Sequence, residues 1–228
     1  MIVTTHQPIF LPWPGFFYKA LIADCMVLLD EVQYPRGRGW MNRNRLKNEQ
    51  GTLWLTAPVW KKGRGFQMIS KVELCYETDW KKKHLRSMQQ NYANAPFVQQ
   101  YFPEIKSIYD KNYKWLIQLN VDLIECIWQA FPLKTQLILQ SDLGIKGKGT
   151  DLLIKICQHL GAEKYVTFPV VEKYLDLDRM HQCGIQLIIA NFHPPVYPQL
   201  WGEFIYNLST LDLLLNCGVK SYEIIART

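Results

Sequence analysis

Along the first thirty residues the pattern of apolar positions changes character three times. Ile2-Val3-Thr4-Thr5 is a short β-branched run that reads as a buried first strand. Three prolines in the seven positions from Pro8 to Pro14 then stop both strand and helix. After Gly15, the spacing of Phe16, Phe17, Ala20, Leu21 and Ala23 predicts a helix to Asp24. Met26 to Leu29 follows as a second buried strand ending at Asp30-Glu31-Val32-Gln33. Strand, turn, helix and strand make the opening of an α/β sheet, where ligands sit beyond the carboxyl ends of the strands. Those ends carry His6-Gln7 and Asp30 to Gln33, so both polar groups are expected to face one crevice.

The pattern then weakens. Tyr34 to Gly51 is a polar, glycine-bearing connection longer than an ordinary loop, and such segments are usually binding loops or lids. Thr52 to Val59 and Met68 to Cys75 read as two strands of an antiparallel hairpin over it, joined through the Lys61 to Gly65 turn. Thr78-Asp79 offers an N-cap for a helix through Trp80, His84 and Met88 to Tyr92, on which Trp80 and His84 share a face. From Pro96 to Phe131 apolar residues recur at three and four, interrupted by Pro103. Leu133 to Gln140 returns to strand character and leads through Lys146-Gly147-Lys148-Gly149 to a helix Leu152 to Leu160, capped by Thr150 or Asp151 and stopped at Gly161. Later elements are a strand at Tyr165 to Thr167, a short helix at Asp178 to Gly184, a strand at Ile185 to Ala190 and a final helix started by Asn207 or Ser209 and stopped at Gly218.

The expected fold is α/β, a mostly parallel, Rossmann-like sheet with a helical subdomain. Residues 1–95 form an N-terminal α/β part with the basic loop and hairpin, 96–132 the helical subdomain, and 133–228 an α/β part completing the same core. The 228 residues can bury a substantial core. No apolar run approaches the ~20 residues of a membrane span, and Met1-Ile2-Val3 enters the first strand directly, so a cytoplasmic protein is expected. The six cysteines are scattered singly with no Cys-x-x-Cys pair, which argues against a disulfide framework or zinc site. The five histidines are equally dispersed, and no metal is expected.

Charge changes the picture more. Much of the net +6 falls in Arg36-Gly37-Arg38, Arg43-Asn44-Arg45-Leu46-Lys47, Lys61-Lys62-Gly63-Arg64 and Lys81-Lys82-Lys83, interleaved with Trp40, Trp54, Trp60 and Trp80. Basic residues alternating with aromatics can hold a nucleic-acid backbone and stack bases, or clamp a nucleotide-sugar or lipid-linked diphosphate. For the lysine runs a solvated basic face is the plain reading. Arg43-Asn44-Arg45, with its repeated arginine after Trp40, suits bidentate recognition of an anion. Lys146 and Lys148, between a strand and a helix N-terminus, make a second candidate anion site without a Walker motif. His193 and Gln199 lie in a proline-rich turn beyond the late strand.

The motif string His6-Gln7-Pro8-x-Phe10-Leu11-Pro12-Trp13-x-Gly15-Phe16-Phe17-x-Lys19, with Leu29-Asp30-x-Val32-Gln33-Tyr34, closely resembles the WbqC-like family. The resemblance continues through Trp40-x-Asn42-Arg43-Asn44, Trp54-Leu55-Thr56, Trp80-x-x-x-His84, Tyr174-Leu175-Asp176 and Tyr197-Pro198-Gln199 to Ser209-x-x-Asp212, nearly the whole chain. It implies a place in O-antigen or other surface-polysaccharide biosynthesis, with glycine or acyl transfer as the reaction. Thr167-Phe168-Pro169 departs from the small residues found there in the family. The opening also looks like that of the nucleotidylyltransferases, whose two histidines flank the glycine, but here Trp13 and Phe16 stand in those places.

Three functional classes are compatible with these residues. In the first, a transferase takes an activated anionic donor (a nucleotide-sugar, acyl or aminoacyl donor), with His6 or Asp30 as general base toward an amine or hydroxyl, His6 being the better candidate and Asp30 then orienting it or positioning the acceptor. Gln7, Trp13, Gln33, Trp40, Arg43, Asn44, Arg45, Lys146, Lys148, His193 and Gln199 would bind substrate. The second is a non-catalytic glycan- or nucleotide-binding protein, and the third, less favoured, binds nucleic acid. The sequence names no cofactor, and a homodimer rests only on the general frequency of symmetric assemblies.

Overall fold

A computed structural model describes residues 1–37 and 39–228. Arg38 of the first basic cluster lies outside the described residues. In chain order the elements are β1 (Ile2–His6), α1 (Pro14–Ile22), β2 (Cys25–Leu28), β3 (Arg43–Asn48), β4 (Gly51–Thr56), α2 (Trp80–Asn91), α3 (Val98–Asp110) and α4 (Leu116–Gln129). The second half continues with β5 (Gln136–Leu139), α5 (Gln140–Leu143), α6 (Gly149–Leu160), β6 (Lys164–Thr167), α7 (Pro169–Glu172), α8 (Leu177–Gln182), β7 (Gln186–Ile189), α9 (Thr210–Cys217) and α10 (Lys220–Ala226).

Five strands form one parallel sheet in the order β5-β2-β1-β6-β7. The fold is α/β and compatible with a Rossmann-like core. Strand alternation divides the apolar residues between the two faces. Val3, Cys25 and Val27 meet Leu152, Ile156 and Cys157 of α6 and Met180 of α8. Met26 and Leu28 join the larger core with Phe16, Phe17 and Ala20 of α1 and Leu123 and Ile127 of α4. The order reverses at β1: β2 and β5 lie on one side, β6 and β7 on the other.

Several elements differ from expectation. Tyr34 to Gly51 contains β3, which pairs antiparallel with β4; the hairpin is therefore Arg43 to Thr56, not Thr52 to Cys75. The pattern hid β3 because its outward positions are Arg43 and Arg45 and its inward ones begin with the polar Asn44. Met68 to Cys75 is a 3-10 turn (Ile69–Lys71) with isolated bridges, since buried Ile69 and Val72 are three apart, the spacing of a turn. Pro103 sits inside α3 without ending it; the buried face of Val98, Tyr101, Ile105, Ile108 and Tyr109 carries the helix past the missing N–H. Helix α6 begins at Gly149 after Lys148, so neither Thr150 nor Asp151 caps it: the Thr150 hydroxyl accepts from the Asp176 N–H at 2.9 Å, and Asp151 pairs with Arg179 at 2.5 Å. After α9, Gly218 (φ 57°) turns the chain beneath Phe97, where a Cβ would come within 2.5 Å of the ring, and the unforeseen α10 follows.

Buried polar groups tie these parts together. Asp212, wholly buried in α9, accepts hydrogen bonds from the hydroxyls of Tyr92 and Tyr197 and from Asn216, while the Lys47 N–H donates to the Tyr92 hydroxyl at 2.8 Å. Asn120 of α4 donates to the carbonyls of Pro8 (2.6 Å) and Met41 (2.8 Å). Replacing a buried donor by an apolar side chain strands its acceptors. Asn120→Leu is therefore expected to cost about 2–4 kcal/mol in a urea melt. A cost below about 0.5 kcal/mol would show that those carbonyls need no partner.

Candidate functional site

The site is built on the proline-rich turn that leaves β1. Pro8 to Pro12 is irregular yet buried, so its carbonyls must find partners that are not water. Asn120 serves Pro8, Asn44 donates to Phe10 (3.2 Å) and Leu11 (2.6 Å), and the Thr210 N–H donates to Pro12 (2.7 Å). The Phe10 N–H in turn donates to the Trp40 carbonyl at 3.1 Å. The turn is thus pinned to α4, β3, α9 and the loop before β3. Between it and that loop opens a cleft of about 590 Å³. His6, Gln7, Ile9 and Trp13 form one wall; Pro35, Gly39, Trp40, Met41, Asn44 and Arg45 form the other, with Asn207 at the edge.

His6, partly exposed at the end of β1, has its Nδ1 2.8 Å from the Gln7 carbonyl. A carbonyl only accepts, so Nδ1 carries the proton and Nε2 the lone pair. The ring meets Phe16 edge-on at 4.9 Å. Burial, then the nearby Lys19 ammonium, lowers the imidazole from 6.5 to about 3, opposed by the Gln7 carbonyl. Lys19 is only 4% exposed and donates to the Thr5 carbonyl at 2.7 Å. Among the described residues it joins no ion pair, and burial draws its amine from 10.5 down to about 7. A buried cation without a counter-charge is rare in a purely structural role.

At the switch point between β1 and β6, where open sheets usually hold ligands, aromatic rings fill the space. Trp13 packs on Phe168 (5.4 Å) and Phe192 (5.3 Å), and Phe168 also covers the Lys19 amine at 5.3 Å. Gly15 makes room for Trp13, since a Cβ there would lie 2.4 Å from the indole. The open cleft is displaced from the switch point toward the hairpin.

On the hairpin's outer face the Arg43 guanidinium lies over the Trp54 ring at 3.7 Å, and Trp54 stacks on Trp40 at 5.7 Å and 23°. Arg45, opposite Trp54, donates from Nη2 to the carbonyls of Tyr206 (3.2 Å) and Asn207 (3.0 Å). Asn44 points the other way and is spent on the turn.

The expected site residues therefore divide. His6, Gln7, Trp13, Trp40, Asn44 and Arg45 line one cleft, with Arg43 just outside it. Asp30 does not share this crevice as expected: it is 3% exposed and accepts from the Ser141 N–H at 3.0 Å. Gln33, exposed, bridges to Met68. Lys146, Lys148 and His193 are exposed away from the cleft lining. Gln199 is structural, accepting from Lys47 (3.1 Å) and from the Ile205 N–H (3.0 Å) and donating to the Ile205 carbonyl (2.9 Å). His84, buried on α2, accepts from the Thr56 N–H at 3.0 Å and packs on Trp80, with which it was expected to share a face. Sequence reasoning gave Lys19 no role, because a lysine on a helix reads as solvated. Met41 and Ile9, apolar residues with no chemistry of their own, were likewise given no role.

Among the described residues no cluster of His, Cys, Asp or Glu is placed to hold a metal ion. Burial raises the thiols of Cys25 to about 11 and of Cys126 and Cys157 to about 12, so they stay protonated. No helix is long and apolar enough to cross a membrane.

The family profile that matches this chain spans residues 7–224 and describes a WbqC-like protein family. The chain belongs to the WbqC-like family. The matched segment contains every residue of the cleft just described except His6, which lies one position before it. The chain is also similar to an uncharacterised protein of Mycobacterium tuberculosis, 33% identical over 221 residues and covering 96% of this chain and 95% of that one. No solved structure matches.

The buried bases fix the sign of the pH dependence. His6 and His84 have folded pKa values of about 3 and about 4, below the ordinary 6.5, so the unfolded chain binds more protons below neutrality. Their stabilisation is present above pH 6.5 and is lost on acidification, at up to ~1.4 kcal/mol per pH unit for each group. Lys19 acts in the same sense between about pH 7 and 10.5. Lys19→Met should therefore raise the melting temperature relative to the native chain more at pH 6 than at pH 10. A difference independent of pH would contradict a charged, uncompensated Lys19.

Proposed function

We propose that the chain is a transferase of the acyl or aminoacyl type, taking an activated anionic donor into the cleft beside β1. Surface-polysaccharide biosynthesis is its setting, and the cytoplasm, where activated donors are made, its compartment. The observation that carries this reading is the His6 imidazole: its Nδ1–H is committed to a fixed carbonyl, its Nε2 lone pair is free, and the ring lies in a cleft whose opposite wall bears Arg45.

In the proposed reaction, Nε2 takes the proton from an acceptor amine or hydroxyl as its nitrogen or oxygen attacks the donor carbonyl. The bond from carbonyl carbon to leaving group breaks, and the imidazolium returns the proton to the departing group. In this reading the Gln7 side chain, from the same wall, donates to the developing oxyanion. An imidazole at about 3 is a weak base, and the donor's negative charge supplies the correction by favouring the imidazolium. Deprotonation of Lys19 removes the opposing charge and works the same way. Asp30 keeps a positioning role, holding the end of β2 against α5.

The same depressed imidazole favours the second reading, a non-catalytic binding protein, if no donor raises it. Thermal-shift screening with acyl-coenzyme A, aminoacyl adenylate analogues and nucleotide-sugars identifies the donor class. With that donor, His6→Ala is expected to keep binding within about threefold and to lose at least ~100-fold in turnover. Turnover undiminished in His6→Ala would remove the base from the mechanism, and stabilisation without turnover by the native chain would favour the binding reading.

A further inference from the structure

The basic excess of this chain is segregated. Residues 31–86 carry thirteen Lys and Arg against five Asp and Glu, whereas the remainder carries thirteen against fifteen. Within that quarter, one arrangement runs continuously from the surface into the cleft. Arg43 lies on Trp54, Trp54 stacks on Trp40, and Trp40 forms part of the cleft wall. The two indoles remain 44% and 47% exposed, a large apolar area to leave in water. Arg45 projects from the same face of β3 and lies 5.7 Å and 5.9 Å from the two rings.

The guanidiniums are unusually under-used. Among the described residues the Arg43 guanidinium forms no ion pair and no hydrogen bond, and its Nε is buried without a partner. The Nε of Arg45 is buried and unpartnered as well, although its Nη2 is held by two carbonyls. Buried N–H groups without acceptors are the exception in folded proteins. A guanidinium flat on an indole has lost rotational freedom in advance and presents its edge for bidentate contact with a phosphate.

We propose that this ladder is the ring-and-phosphate subsite of a nucleotide-bearing ligand. The base stacks on the cleft side of Trp40, against Ile9 and Met41, and the phosphates run outward over Arg45 and Arg43. It rests on the reading that the donor occupies the cleft, and names that donor's handle. Two arginines at alternate strand positions stand roughly 6.5–7 Å apart along β3, a better match to a diphosphate than to one carboxylate. The cleft's lining is dominated by Trp, Ile, Met and Pro side chains, which suits a planar base more than a bare polyol.

The test is quenching of tryptophan fluorescence in the full chain by ADP, UDP, adenosine, inorganic pyrophosphate and a single-stranded oligonucleotide, at low and high salt. ADP or UDP should quench saturably, with adenosine and pyrophosphate at least tenfold weaker. Arg43→Gln should weaken nucleotide binding about tenfold and reduce its salt dependence, Trp40→Leu should abolish most of the quench, and Lys82→Gln should change neither. Should Arg43→Gln melt well below the native chain, Arg43→Lys, which keeps the charge and loses the flat stack, should still weaken binding severalfold. No saturable quench by either nucleotide, pyrophosphate binding as tightly as ADP, or response to the oligonucleotide alone would each overturn the proposal. So would unchanged affinity in the arginine variants. Failure of the transferase reading looks different: nucleotides bind as stated, while His6→Ala leaves group transfer intact.

Discussion

The structure depends on a buried turn that makes no regular hydrogen bonds of its own. Pro8 to Pro12 leaves β1 with its carbonyls facing protein, and each unpartnered carbonyl in that setting costs on the order of 1–3 kcal/mol. Two asparagine side chains, Asn120 and Asn44, and the Thr210 N–H meet that demand from three parts of the chain. Because the partners are distant in sequence, satisfying the turn also assembles α4, the β3–β4 hairpin and α9 around it. The cleft is the space left between this fixed turn and the loop it holds.

Two buried ionisable groups show how differently charge can be kept dry. Asp212 is surrounded by Tyr92, Tyr197 and Asn216, each donating to it, with Lys47 nearby, and the cluster reads as an anchor between α2, α9 and the loop at Tyr197. Lys19 has one carbonyl and an aromatic ring. Its charge is tolerated rather than satisfied, and it sits beside the imidazole that faces the cleft. An anion arriving in the cleft would relieve both groups at once, favouring the protonated forms of His6 and Lys19. That coupling gives a physical reason for placing an unpaired amine where the fold could have used methionine.

Much of this was legible in the residues. The β-branched opening, the proline cluster and Gly15 gave β1, the turn and α1, and the carboxyl-end rule drew attention to His6, Gln7 and Trp13. The repeated arginine after Trp40 marked the opposite wall. The rule failed for Asp30 because it locates strand ends, whereas side-chain direction is decided locally, here by the free N–H of Ser141. It failed for Lys146 and Lys148 because their turn is tied to α8 through Thr150 and Asp151. The hairpin stayed hidden because the first inward position of β3 is Asn44, which interrupts the alternation that identifies a half-buried strand and leaves Leu46 as its one apolar residue. Lys19 was invisible as a site residue since helical periodicity assigns a lysine to solvent unless tertiary contacts override it.

The central claim is that the space between the buried turn and the hairpin is where the ligand sits. The eight tryptophans allow it to be tested in one spectrum, because each indole N–H of a nitrogen-15-labelled sample gives its own resonance. On titration with ADP and UDP, the resonances of Trp13, Trp40 and Trp54 should move together, with Trp60, Trp80, Trp115, Trp128 and Trp201 nearly still. Movement centred on Trp60 and Trp115, with Trp13 and Trp40 unaffected, would contradict the account and relocate binding to the surface around those two rings.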